Sequence, residues 1–66
     1  MNEDTLNMSV RSFLKKVGIT SQRELERAVT AAVASGKARD SVQVRMTLHC
    51  PELGLEHVIE DSLRLK

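Results

Sequence analysis

The sequence predicts an α+β fold in which two N-terminal helices pack on one face of a small antiparallel three-stranded meander (α-α-β-β-β). From residue 6 to residue 33 apolar residues recur at spacings of three and four, which is typical of helices with one buried face. From residue 42 onward the spacing changes to two, which is typical of half-buried strands. With 66 residues the chain is expected to form a single domain, 1–66, with one small core.

The first helix is predicted over about residues 3–17. Asn2 is placed to cap its start, and Gly18 can supply a left-handed stop at its end. Its apolar face consists of Leu6, Val10, Phe13, Leu14 and Val17.

The second helix is predicted over about residues 22–35. Ser21 and Glu24 have the spacing of a capping box, and Gly36 follows the last periodic residue. Its apolar face consists of Leu25, Ala28, Val29, Ala32 and Val33. Because only residues 18–20 connect the two helices, they are expected to form a helical hairpin or a sharp corner.

The strands are predicted over about residues 42–50, 55–59 and 63–66. The stretch 51–54 contains proline and glycine and is predicted to form the first turn. With Cys50 opposite Leu55, the register brings His49 to Glu56, Thr47 to Val58 and Arg45 to Glu60. A second turn at residues 60–62 would return the chain as the short third strand.

Composition excludes several classes of protein. Ten Lys and Arg against nine Asp and Glu give a net charge of +1, and 41% of the residues are hydrophobic. No stretch approaches the roughly 18 apolar residues of a membrane span, and the polar start is unlike a signal peptide. A single cysteine cannot form an internal disulfide, so a cytoplasmic location is expected.

The inward-facing positions of these elements define the expected core. Domains of this size rarely retain more than about 3 to 5 kcal/mol of net stability from one core. Self-association as a homodimer, through a sheet edge or the helical pair, is therefore expected to complete the fold. The residues expected to be buried are Phe13, Leu14, Leu25, Val29, Val44, Met46, Leu48 and Ile59.

Several segments of the chain, MNED at residues 1–4, NMS at 7–9, FLKKVG at 13–18 and TSQRE at 20–24, together resemble a family of very short proteobacterial proteins. RMTL at 45–48 and ELGL at 52–55 fit the same pattern. The family is a domain of unknown function, so the resemblance implies a bacterial, cytoplasmic, stand-alone protein and assigns no site.

Cys50, His49 and His57 are the side chains that suggest nucleophilic or soft-metal chemistry. His49 and Cys50 are adjacent on a strand and point to opposite faces, and the paired spacings of a zinc site are absent. Cys50 and His57 can lie diagonally across the hairpin, but no third orienting residue accompanies them. The sequence therefore predicts no catalytic, cofactor or metal site, and Cys50 is interpreted as a small hydrophobe at a strand end.

A glycine-containing turn before a polar helix start also resembles a helix-turn-helix. The residues that would contact nucleic acid are Ser21, Gln22, Arg23 and Arg27. Glu24 and Glu26 neutralise this face, whereas nucleic-acid-binding surfaces are normally basic. The favoured function is a small non-enzymatic protein-interaction module, and its expected partner is a second copy in a homodimer. Weak nucleic-acid binding is the alternative, and a Cys/His enzyme is the third.

Overall fold

A computed structural model describes all residues, 1–66, and contains one long helix followed by a β-hairpin. Helix α1 spans Glu3–Ala34, strand β1 spans Ser41–Cys50 and strand β2 spans Leu55–Arg64. A single 3₁₀ turn, Pro51–Leu53, connects the strands. The two strands form one antiparallel sheet, so the order is α-β-β.

Both ends of α1 have the capping groups that the sequence predicts. The Asn2 side chain accepts a hydrogen bond of 3.1 Å from the backbone N–H of Thr5, and acidic Glu3 and Asp4 occupy the first turn. At the other end Gly36 adopts a φ of 78°, and the N–H of Lys37 donates to the carbonyl of Ala32 at 2.9 Å. This is a Schellman motif, in which glycine supplies the left-handed residue.

The prediction of two helices, 3–17 and 22–35, is wrong because α1 continues without interruption through Gly18 and Ser21. The physical reason lies in the phase of the two apolar faces. Leu14 and Leu25 are eleven residues apart, which is three turns plus only about 20°, so one straight helix aligns both faces. The Thr20 hydroxyl donates to the Lys16 carbonyl at 2.8 Å, a bond made inside a continuous helix.

The predicted hairpin register is confirmed over its whole length. Cys50 pairs with Leu55, Thr47 with Val58 and Arg45 with Glu60. The turn also forms as predicted, with Pro51 at its start and Gly54 at a φ of 62°. The sequence pattern of alternating apolar residues therefore fixes which strand residues share a face.

The predicted third strand, 63–66, and the turn at 60–62 are wrong. β2 continues straight through Asp61, which pairs with Val44, to Leu63, which pairs with Val42. A strand that ended at Ile59 would leave the first half of the ten-residue β1 without hydrogen-bond partners, whereas a longer β2 supplies them. A further backbone bond of 2.8 Å from the N–H of Leu65 to the carbonyl of Asp40 extends the pairing.

The hairpin lies alongside the helix. The molecule measures 50 × 21 × 17 Å, and a 32-residue helix alone is about 48 Å long. Each ten-residue strand is about 33 Å long, so the hairpin runs back along α1 rather than across or beyond it.

Burial within the single chain is very limited. Ala38, in the connection between α1 and β1, is the only buried residue. Of the eight residues expected in the core, Phe13, Leu14, Met46 and Ile59 are exposed. Leu25, Val29, Val44 and Leu48 are half-buried. The expectation of a core within one chain is therefore wrong.

Candidate interaction surface

One face of α1 lines the grooves that the helix shares with the hairpin, and the half-buried residues of this face lie between Val17 and Ala32. The half-buried helical residues are Val17, Ser21, Leu25, Val29 and Ala32, which repeat at spacings of three and four. The half-buried strand residues are Val42, Val44, Leu48, Cys50 and Leu63. The helix lies over the middle of the hairpin and leaves an open groove on each side.

The groove on the β1 side, of about 420 Å³, is lined by both elements. Thr20, Glu24 and Ala28 line it from the helix, and Val44 and Met46 line it from β1. Half of its eight lining residues are hydrophobic, and the groove is open to solvent.

The groove on the β2 side, of about 620 Å³, is lined by Gln22 and Glu26 on the helix and by Leu63 and Leu65 near the C-terminus. The Gln22 amide donates to the Glu26 carboxylate at 2.8 Å along its rim. Polar side chains therefore border the β2-side groove.

The first half of α1 carries apolar side chains that are more exposed than those of the second half. Leu6, Val10, Phe13 and Leu14 continue the helical face of Val17, and each is about half exposed, as in Phe13 at 51%. Phe13 lies seven residues before Thr20, and Leu6 lies seven residues before Phe13, so all three are on nearly the same side of the helix. They therefore lie on the flank of α1 that faces the β1-side groove.

The outer edge of β1 is an open row of backbone hydrogen-bonding groups. Because the N–H of Leu65 donates to the carbonyl of Asp40, and hydrogen-bonded pairs alternate along an antiparallel ladder, the even-numbered β1 residues bond to β2. The N–H and C=O groups that point outward belong to Ser41, Gln43, Arg45, Thr47 and His49. The alternation in the sequence could have identified them, but only once the strand order was known.

The outer edge of β2 is more strongly protected. Glu56, Glu60 and Asp61 place three carboxylates on this strand, and Asp61 lies on the same face as Leu63, towards the helix. Charged residues that point inward and like charges along an edge both oppose pairing with another strand. The two edges of the sheet therefore differ in chemistry.

The cysteine and histidine side chains lie where the register predicts. His57 pairs with Leu48, and Cys50 pairs with Leu55 two positions further along the strands. Cys50 and His57 are therefore diagonal neighbours on one face of the sheet. Cys50 is a half-buried free thiol. No three His, Cys, Asp or Glu side chains lie close enough together to hold a metal ion.

The residues of the helix-turn-helix alternative do not form such a motif. Ser21 is half-buried and lines both grooves, whereas Arg23 and Arg27 are exposed elsewhere on the helix. The turn that should precede them is helical. Nucleic-acid binding by these residues stays a prediction, which salt-dependent retention on a nucleic-acid column tests.

No helix of the chain has an apolar stretch long enough to cross a membrane. No curated protein and no solved structure matches the chain. Its whole length, residues 1–66, matches the model of one family, and the chain belongs to this family of unknown function, DUF6494.

Proposed function

We propose that the chain is a small non-enzymatic protein-interaction module whose apolar core is completed only when it associates. The observation that carries this proposal is the burial of a single residue, Ala38, in a chain with 41% hydrophobic residues. Buried apolar area is the main favourable contribution to folding, yet thirteen large hydrophobic side chains of this chain are each at least 39% exposed.

The accessible surface supports the same conclusion. The chain exposes 6136 Å², whereas a monomeric globular protein of 7.4 kDa exposes about 4,200 Å². The excess of about 1,900 Å² per chain is more than twice the share of one partner in a standard interface, and it lies in the range of obligate assemblies.

The chemistry of the exposed surface supports binding rather than catalysis. The grooves on either side of α1 are lined by a mixture of aliphatic and polar residues, and such a mixture is also found in protein interfaces. The family resemblance implies a bacterial cytoplasm, which is a reducing compartment. The single free thiol, Cys50, is compatible with such a location.

Thermal unfolding followed by circular dichroism from about 1 to about 500 μM tests the proposal. An associating module is expected to melt at a temperature that rises with protein concentration, or to melt without cooperativity until a partner is added. A sharp, cooperative transition at the same temperature over the whole range would show that the single chain is complete and would contradict the proposal.

A further inference from the structure

We infer that the partner is a second copy of this chain, which pairs antiparallel with the open edge of β1 to give a four-stranded sheet in the order β2-β1-β1-β2. Both copies of α1 then lie side by side on one face of that sheet. The inference deepens the proposed function and rests on it.

The β1 edge is suited to pairing because it is long, regular and weakly charged. The ten residues of β1 include no proline, and its register with β2 is continuous and without a bulge. Its one charged side chain apart from histidine is Arg45, whose Nε lies 3.4 Å from Oε1 of Glu60 in the same hairpin. Apart from Arg45, whose charge is balanced by Glu60, β1 has none of the usual devices that protect an edge strand, whereas β2 carries three carboxylates.

A two-fold axis at Met46 gives a favourable set of strand neighbours. Val44 then faces Leu48 of the second copy, and Arg45 faces Thr47, so that no like charges are opposed. The outward N–H and C=O groups of Arg45 and Thr47 form the hydrogen-bonded pairs, and Met46 meets itself at a non-hydrogen-bonded position. Every apolar side chain of β1 remains on the helix-facing side.

The distance between the two helices agrees with this arrangement. Neighbouring strands lie about 4.8 Å apart, so two hairpins joined at β1 have their centres about 9.6 Å apart. Each α1 lies over its own hairpin, which places the two helices at the 8 to 10 Å distance of directly packed helices. The open flank with Phe13 and Thr20 is the flank that faces the second helix.

Charge also favours this antiparallel pairing of the helices. Thr20 lines the β1-side groove together with Met46, so the two-fold axis passes near Thr20. Lys16 and Glu24 lie one turn on either side of Thr20 and on the same flank of α1. In the antiparallel pair Lys16 of each copy is therefore opposite Glu24 of the other, and the two helix dipoles oppose each other favourably.

Matched proline variants test which edge pairs. Thr47 and Val58 face each other across the hairpin, and the backbone N–H of each points away from the other strand. Thr47→Pro removes an N–H from the β1 edge, and Val58→Pro removes the equivalent group from the β2 edge. Sedimentation equilibrium is expected to show self-association weakened at least about tenfold by T47P and unchanged by V58P. The reverse order would overturn the inference.

Spin labels at the same two positions give a second measurement that does not depend on a disrupted edge. In a Cys50→Ser background, spin labels attached to Thr47→Cys should lie about 8 Å apart across the dimer. At this distance the dipolar coupling between the labels should broaden the electron paramagnetic resonance spectrum. Labels on Val58→Cys should lie about 15 Å or more apart. Broadening at Val58→Cys alone, or at neither position in a confirmed dimer, would overturn the β1 pairing.

The oligomeric state separates this inference from the proposed function. A chain that remains monomeric up to about 500 μM and melts without cooperativity would overturn the second copy as partner while leaving the interaction module intact. A monomer with a cooperative, concentration-independent melt would overturn both.

Discussion

Arg45 and Glu60 form an ion pair across the hairpin, with Nε of Arg45 3.4 Å from Oε1 of Glu60 and both side chains about two-thirds exposed. The pair lies on the sheet face away from α1, at directly opposite positions of the register. Exposed pairs of this kind contribute at most about 1 kcal/mol. The ion pair therefore aligns the strands and neutralises Arg45, and it is not a main source of stability.

Glu60→Gln is accordingly expected to lower the free energy of unfolding by less than about 1 kcal/mol, and the difference should vanish in concentrated salt. Urea unfolding at low and high ionic strength measures both effects. A loss of several kcal/mol that persists in salt would show that Glu60 stabilises the hairpin in another way.

Gly18→Ala is expected to stabilise the protein by about 0.5 to 1 kcal/mol. Gly18 lies inside α1 without a positive φ, and an added Cβ would meet no atom within 4 Å apart from the adjoining backbone of its own helix. Gly36→Ala is the matched control, because Gly36 has a φ of 78° and the same change should destabilise. Chemical denaturation of both variants measures the two signs, and destabilisation by G18A would indicate a break in the helix at that residue.

Phe13→Ala is expected to weaken self-association while leaving the helix content of the chain nearly unchanged. Phe13 is half exposed in the single chain and lies on the flank that a second helix would cover, so its apolar area contributes mainly to the assembly. Sedimentation equilibrium with circular dichroism measures both quantities.

Met8→Ala is the matched control for that variant, because Met8 is 71% exposed and lies on the opposite side of α1. Its self-association should equal that of the wild type. Equal weakening by F13A and M8A would show that the partner does not approach the flank with Phe13.

The Cys50 thiol is expected to react with a thiol reagent at neutral pH more slowly than it does in denaturant, since it is half-buried at the end of β1. Stopped-flow labelling with and without urea measures the ratio. A thiol that reacts faster in the folded protein would favour the Cys/His enzyme interpretation.

Short sequence motifs correctly predicted the two ends of α1 and the pairing of the strands, because hydrogen bonds between neighbouring residues determine these features. The Asn2 cap, the Gly36 stop and the strand register follow from a few neighbouring residues, and each is confirmed. Gly18 and the Ser21–Glu24 spacing carry similar local signals, but the continuous face from Leu14 to Leu25 outweighs them.

Burial and the interaction surface could be predicted only in part. The sequence identified Phe13 and Met46 as inward-facing residues, and both lie on the apolar side of their elements although the single chain leaves them exposed. Which side of the helix is open depends on where α1 lies over the hairpin, and this is a tertiary relationship that periodicity does not contain.

The backbone bond between Leu65 and Asp40 joins the two ends of a hairpin that is formed by one contiguous segment, residues 40–65. Helices and hairpins of such short contact range form in microseconds, before two molecules at micromolar concentration meet. Refolding should therefore proceed as a fast unimolecular phase followed by a second-order phase. The rate at which the complete protein appears would then be set by collision frequency and would rise with protein concentration.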